Sequence, residues 1–294
     1  MNKVKRFSFI FICILFFSCK SSQIEKKEIV ETIEKNDHKE NKFKLVERAP
    51  ESIGKLDMVI AFDTTGSMAA YIEAVRKEVS ELIPRLFKNN EDLRLGIVAF
   101  GDYCDMKNAQ EFGNAYQCLK PTNNENAIIK FINESKDTSG GDGDEFYELV
   151  IKKVVEETPW RDGATKVLLL ISDAYPHPLG YTYKDYVVDN HIDWRQEAVK
   201  AASMGIKIDT VSITGAPWYK ELSDMTNGIS TLFQSSYKTA RLVEAATLAR
   251  GSKVSREMFD SISFKCCSVE TSLKDEEMEE IYKEYKKERD NIDI

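Results

Sequence analysis

The sequence predicts an α/β fold in which a mostly parallel sheet is covered by helices on both faces, and three observations carry that prediction. Short, mostly apolar, β-branched runs recur at 56–62 (LDMVIAF), 93–100 (LRLGIVAF), 166–171 (KVLLLI) and 206–213 (IKIDTVSI). Such runs suit strands buried on both faces. Amphipathic stretches lie between them: Ile72, Val75, Val79, Leu82 and Leu86 share one helical face, and Phe146, Leu149, Val150, Val154 and Val155 share another. Finally, strand and helix alternate along the chain, which is the pattern of parallel strands joined by helical crossovers. Ligands of such sheets sit beyond the carboxyl ends of the strands, so the loops directly after strands are where function is to be sought.

The segments fall in order. Residues 1–18 (MNKVKRFSFIFICILFFS) open with Lys3, Lys5 and Arg6 and continue as an apolar run from Phe7 to Phe17. This reads as a secretory signal peptide, because the run is well short of the ~20 residues of a membrane-spanning helix. Ser18-Cys19 follows at once, and a small residue before Cys at the end of a short apolar run resembles the lipobox of bacterial lipoproteins. That resemblance implies cleavage before Cys19, lipidation of its thiol and an exported, membrane-anchored protein of the cell envelope. Phe16 stands where the lipobox usually has Leu. Residues 19–54 read as a charged tether: 20–54 hold 16 charged residues, one aromatic and no sustained apolar stripe, too little to fold alone. A solvated helix through Ile24 to Ile33 would serve equally well as a spacer. The folded domain is expected at 55–250. Residues 251–294 form an extension ending in an acidic helix opened by Ser272 and Asp275, whose apolar face of Met278, Ile281, Tyr282 and Tyr285 is expected to pack on the parent domain.

Composition limits the chemistry. Forty-one Lys and Arg stand against 49 Asp and Glu, a formal charge of −8, so no broad basic field attracts a nucleic acid backbone. Three His and six Cys without a C-x-x-C spacing are too few for a multi-zinc scaffold, and any metal site should be built from oxygen.

Oxygen donors gather after the first strand, in Asp63-Thr64-Thr65-Gly66-Ser67-Met68. An Asp with hydroxyls two and four residues later places three hard donors on one turn above a helix N-terminus, as suits Mg²⁺, Mn²⁺ or Ca²⁺. An N-capping turn would use the same residue types. Two more loops point to the same edge: Ser172-Asp173 ends another core strand, and Ser139-Gly140-Gly141-Asp142 is a Gly-rich turn expected to open a helix.

With these residues the chain resembles the von Willebrand factor type A domain over about 55–250. The family's D-x-[TS]-G-S motif matches Asp63, Thr65 and Ser67, and its Asp after the fourth strand matches Asp173. The resemblance implies a metal-ion-dependent adhesion site made of Asp63, Thr65, Ser67, Asp142 and Asp173, with Mg²⁺ the expected ion and Mn²⁺ or Ca²⁺ the alternatives. Asp142 stands where the family normally has Thr; with Glu145 it fits a G-G-D-x-x-E variant, and Thr138, Ser139 and Asp144 are close enough to be rival ligands. The fold so implied is a Rossmann-like three-layer sandwich with one antiparallel edge strand.

Other motifs carry less. Asp63-Thr64-Thr65 lacks the second Asp of a haloacid dehalogenase loop, Ser235-Ser236-Tyr237-Lys238 has no companion motifs of a penicillin-binding enzyme, and 140–146 (GGDGDEF) is a cyclase signature broken by an insertion. His38, His177 and His191 have no Ser or Cys partner in sequence and are expected to be structural or exposed. Export permits disulfides, and Cys104 with Cys118 could staple the hairpin after the second long strand, two free thiols being the alternative. The Tyr-rich segment after Asp173, with Tyr175, Tyr181, Tyr183 and Tyr186, should rim the metal, either as a contact surface or packed over the sheet edge.

The expected function is a lipoprotein that binds a protein partner through the cation, the partner supplying a carboxylate, with no enzymatic activity. The rival readings are a metal-dependent hydrolase, for which no general base is evident because Glu145 is expected to face its helix, and an envelope scaffold with a purely structural ion.

Overall fold

A computed structural model describes residues 31–33, 43–45, 54–187, 189–267 and 276–292. The four predicted strands are Lys55–Asp63 (β1), Asp92–Phe100 (β2), Thr165–Ser172 (β4) and Ile206–Ser212 (β5). Tyr116–Thr122 (β3) returns antiparallel beside β2, and Ser230–Leu232 (β6) adds a short parallel edge. The sheet has the order β6-β5-β4-β1-β2-β3, every pair parallel except β2 with β3. This is the α/β architecture the alternation predicts.

Successive residues of β1 point to opposite faces, as the pleat requires, and each face has its own core. Met58, Ile60 and Phe62 pack with helices Ala69–Asn89 (α1), Glu125–Glu134 (α2), Thr239–Arg250 (α6) and Lys253–Cys267 (α7). Val59 and Ala61 pack with Tyr147–Glu157 (α3), Trp194–Ser203 (α4) and Pro217–Met225 (α5) on the other side. The predicted apolar faces of α1 and α3 are buried throughout. The last helix, Glu276–Ile292 (α8), buries Met278, Ile281, Tyr282 and Tyr285 in the α1/α6 core, as its pattern predicts. At the amino-terminal pole of the sheet, the buried carboxylate of Asp57 accepts hydrogen bonds from Arg94 Nε at 2.9 Å and Arg161 Nε at 2.8 Å.

Three expectations change. The hairpin staple is not formed: Cys104 and Cys118 are free, because the ladder sets Cys118 opposite Val98 within the strands, whereas Cys104 lies in a turn beyond the end of β2, against Gly141. The end of the alternative spacer helix is extended instead, Glu31–Ile33 pairing antiparallel with Phe43–Leu45. The Gly-rich turn does not open α3 directly, since Asp144–Glu145 first forms a two-residue parallel pairing with Tyr175–Pro176. Residues 1–18 and Cys19 lie outside the described residues. No helix among the described residues is long and apolar enough to cross a membrane.

Candidate metal centre

The site is built at the carboxyl ends of β1 and β4. Asp63 closes β1 with its side chain buried, and Met68, fully buried, plugs the far end of the loop into the core. Between them the chain turns tightly enough for Asp63 Oδ1 to accept from the Thr65 amide at 2.9 Å and from Thr65 Oγ1 at 2.7 Å. Ser67 Oγ lies 3.5 Å from Thr65 Oγ1 and is exposed. The three motif side chains thus form one contiguous row. Tyr147 Oη, at the start of α3, donates to Asp63 Oδ2 at 2.5 Å and accepts from the Ala174 amide at 3.2 Å, which ties the first loop to the one after β4.

The third loop is laced to the first through Thr138. Its amide donates to Thr64 O at 3.0 Å, and its hydroxyl shares a 3.0 Å hydrogen bond with Thr64 Oγ1, which in turn donates to Phe100 O at 2.7 Å. Thr138 is therefore spent on joining loops. The Ser139 and Gly140 amides donate to Asp105, at 2.9 and 3.1 Å. Gly140 has φ +66°, and a Cβ there would meet Glu145 Oε1 at 2.7 Å and Thr65 Cγ2 at 3.4 Å. Only glycine permits that crossing.

An open cleft of about 650 Å³ collects Ser67, Asp142, Glu145 and Asp173, with Tyr175 and the Thr214–Pro217 turn on its wall. Of the five predicted residues, Ser67, Asp142 and Asp173 line the cleft while Asp63 and Thr65 lie buried beside Ser67. Glu145 corrects the sequence reading. It does not face the helix; its carboxyl is buried on the cleft wall, and Oε2 has no hydrogen-bond partner.

Crowding of acids governs the electrostatics. Burial pushes the Asp63 carboxyl up to about 6, the Asp173 charge adding to it against the hydrogen bonds from Tyr147 and Thr65. Burial, followed by the charges of Asp63, Asp102, Asp105 and Asp142, pushes Glu145 up to about 10. Asp63, Glu145 and Asp173 with the Thr65 and Ser67 hydroxyls are a set of oxygen donors without sulfur or imidazole, which fits a divalent cation.

Beside this row lies a second cluster that the sequence did not reveal. Asp102, at the end of β2, and His177 are both buried, with His177 Nε2 2.7 Å from Asp102 Oδ1 and Tyr181 stacked on the imidazole at 3.7 Å. Beneath them, buried Glu148 accepts from Tyr103 Oη at 2.8 Å, the His177 amide at 3.1 Å and Asn190 Nδ2 at 3.2 Å. Burial opposes charging of His177, but Asp102 and Glu148 outweigh it and hold the imidazole above its ordinary range. Asp102, Asp142 and His177 bring ligand atoms within 4.8 Å of one another. The cluster pins the Tyr-rich segment: Tyr181, Tyr183 and Tyr186 pack on the core, while Tyr175 stays 48% exposed at the cleft.

Comparison with known proteins finds several similar chains and one family. The chain is 26% identical over 159 residues to "Alpha-protein kinase vwkA" of Dictyostelium discoideum, covering 53% of this chain and 24% of that protein. Among solved structures it is similar to the pilus adhesin SpaC from Lactobacillus rhamnosus GG (TM-score 0.49, 14% identity, 67% of this chain and 30% of that one). It is similar also to proximal thread matrix protein 1 from the mussel byssus (TM-score 0.46, 15% identity, 68% of this chain and 49% of that one). The chain therefore spans half or less of the length of each of these three. The model of the von Willebrand factor type A domain matches residues 57–245, nearly two thirds of the chain and all but the first two residues of the sheet that carries the cleft. The chain belongs to the von Willebrand factor type A domain family.

Proposed function

We propose that the protein is an exported, lipid-anchored receptor whose cleft binds a protein partner through a divalent cation, without turnover. Von Willebrand factor type A domains generally bind protein ligands and often hold a divalent cation. Asp63, Thr65, Ser67, Asp173 and a carboxylate of the third loop would hold the ion, Mg²⁺ by the hardness of the donors. A cation bound there supplies a positive point that an oxygen of the partner, in the first instance a carboxylate, can complete. The protein's own part is to hold Asp63 against Tyr147 and Thr65, keep Ser67 at the mouth, and leave Tyr175 exposed beside it. The observation that carries the reading is one open cleft in which residues of three separate loops meet beside buried Asp63. Anchoring rests on Ser18-Cys19 at the end of the apolar run.

The test is a pull-down from envelope extract with wild-type protein and Asp63→Ala, each with Mg²⁺ or with excess chelator. The expected result is a partner retained only by wild type in Mg²⁺. Binding that persists in chelator would refute the cation-dependent mechanism while leaving the fold untouched.

A further inference from the structure

We infer that Glu145, and not Asp142, is the third-loop carboxylate that faces the cation; this rests on the reading above that the cleft holds one. Asp142 is the residue that the family motif selects, yet each of its oxygens already accepts a hydrogen bond that fastens it to its own turn or to the Tyr-rich segment. Oδ1 accepts from the Asp144 amide at 3.1 Å and Oδ2 from Tyr181 Oη at 3.1 Å, and the carboxylate leans toward Asp102 and His177. It is an exposed side chain that fastens its own turn to the Tyr-rich segment.

Glu145 has the opposite character. It is 5% exposed, it lines the same cleft as Ser67 and Asp173, and its Oε2 is buried without a partner. A buried carboxylate oxygen left unpaired costs several kcal/mol unless something outside the protein completes it. The backbone explains the aim. Asp144 and Glu145 pair with Tyr175 and Pro176 as a short strand, and neighbouring strand residues point to opposite sides. The strongest charge on Asp144 is the His177 imidazole and the strongest on Glu145 is Asp63, although both also feel Asp102 and Asp142; of the two, Glu145 is the one that lines the cleft. Gly140 completes the arrangement, since any side chain there would occupy the space of Glu145 Oε1 beside Thr65. Pairing with Tyr175–Pro176 also locks Glu145 to the loop that carries Asp173, so the two acids are set by one piece of backbone.

The experiment uses the full chain, titrated calorimetrically with Mn²⁺ and melted in chelator, as wild type, Glu145→Gln, Glu145→Asp and Asp142→Asn. The expected result is that Glu145→Gln loses at least about tenfold in Mn²⁺ affinity, Glu145→Asp falls between it and wild type, and Asp142→Asn loses less than either. In chelator, Glu145→Gln should melt within a few degrees of wild type, because an amide of the same shape fills the same space. Should Glu145→Gln fail to fold, the order of Glu145→Asp and Asp142→Asn decides. A larger loss for Asp142→Asn than for the Glu145 variants, or equal losses, overturns the inference and leaves the cation reading standing. Wild-type protein that binds no Mn²⁺ overturns both.

Discussion

Asp63 is held at the end of β1 by three hydrogen bonds from two residues, Thr65 and Tyr147, and burdened by two adverse influences, burial and the Asp173 charge. In the unfolded chain such a carboxyl titrates near the ordinary 3.8, whereas in the cation-free fold it is pushed up to about 6. Between those values the folded state keeps a proton that the unfolded state has lost. Stability of the cation-free domain therefore falls as pH rises from about 4 through 6, this group accounting for on the order of 3 kcal/mol. A cation favours the ionised form, so the melting-temperature gain from Mg²⁺ should grow between about pH 5 and about pH 8, and Asp63→Ala should abolish it. Parallel melting scans with Mg²⁺ and with chelator check this; a gain that is flat or shrinks with pH would count against it. The placement of Asp63, Thr65, Ser67 and Asp173 at the carboxyl ends of β1 and β4 was legible in the sequence because each ends or closely follows a core strand, where local pattern and position coincide. Glu145 was not, because its direction depends on a pairing with residues some 30 positions away that no local pattern encodes.

Among the elements, the four long strands and the faces of α1, α3 and α8 were legible because each carries its own hydrophobic period. β6, three residues long, and the pairing of 144–145 with 175–176 are too short to show one. The segment after Asp173 gains its order from a distance, through the Asp102–His177 pair and the hydrogen bonds to Glu148. Removing His177 strands a buried carboxylate, so His177→Ala should cost about 3 kcal/mol in chemical denaturation and speed amide exchange across 178–190. Exchange there unchanged from wild type would show that the pair does not hold the segment. α8 supports the site from behind. Glu277 Oε1 accepts from the Gln234 amide at 2.5 Å, and Tyr71 Oη, three residues after Met68, donates to Gln234 O at 3.1 Å. Ile281 is 2% exposed in that core, and Ile281→Ala should lower stability by about 2–4 kcal/mol, measurable by urea titration. A change below about 1 kcal/mol would mean that the helix is not an integral part of the fold. Cys104 and Cys118 make a chemical check on the hairpin: unreduced peptide mapping should recover both as free thiols, and a linked peptide would contradict the placement.

For the whole molecule, the charge balance becomes more acidic under the proposed processing. Loss of residues 1–18 removes Lys3, Lys5 and Arg6 and no acid, leaving 38 basic residues against 49 acidic ones. Attraction to an acidic bilayer would then come from lipid and not from charge. Mass spectrometry of protein from the envelope should find a mature chain beginning at acylated Cys19, and Cys19→Ala should release it or leave it unprocessed. A mature terminus elsewhere, without lipid, would refute the anchor. The direction of β1 adds a geometric consequence. The chain comes in from the tether at Lys55 and delivers Asp63 at the other end of a nine-residue strand, roughly 26 Å away at the usual rise per residue. A domain moored at its amino-terminal pole, as proposed, would carry the proposed cation mouth on the opposite pole, away from the bilayer. What it grips would then approach head-on from beyond the membrane rather than slide in from beside it.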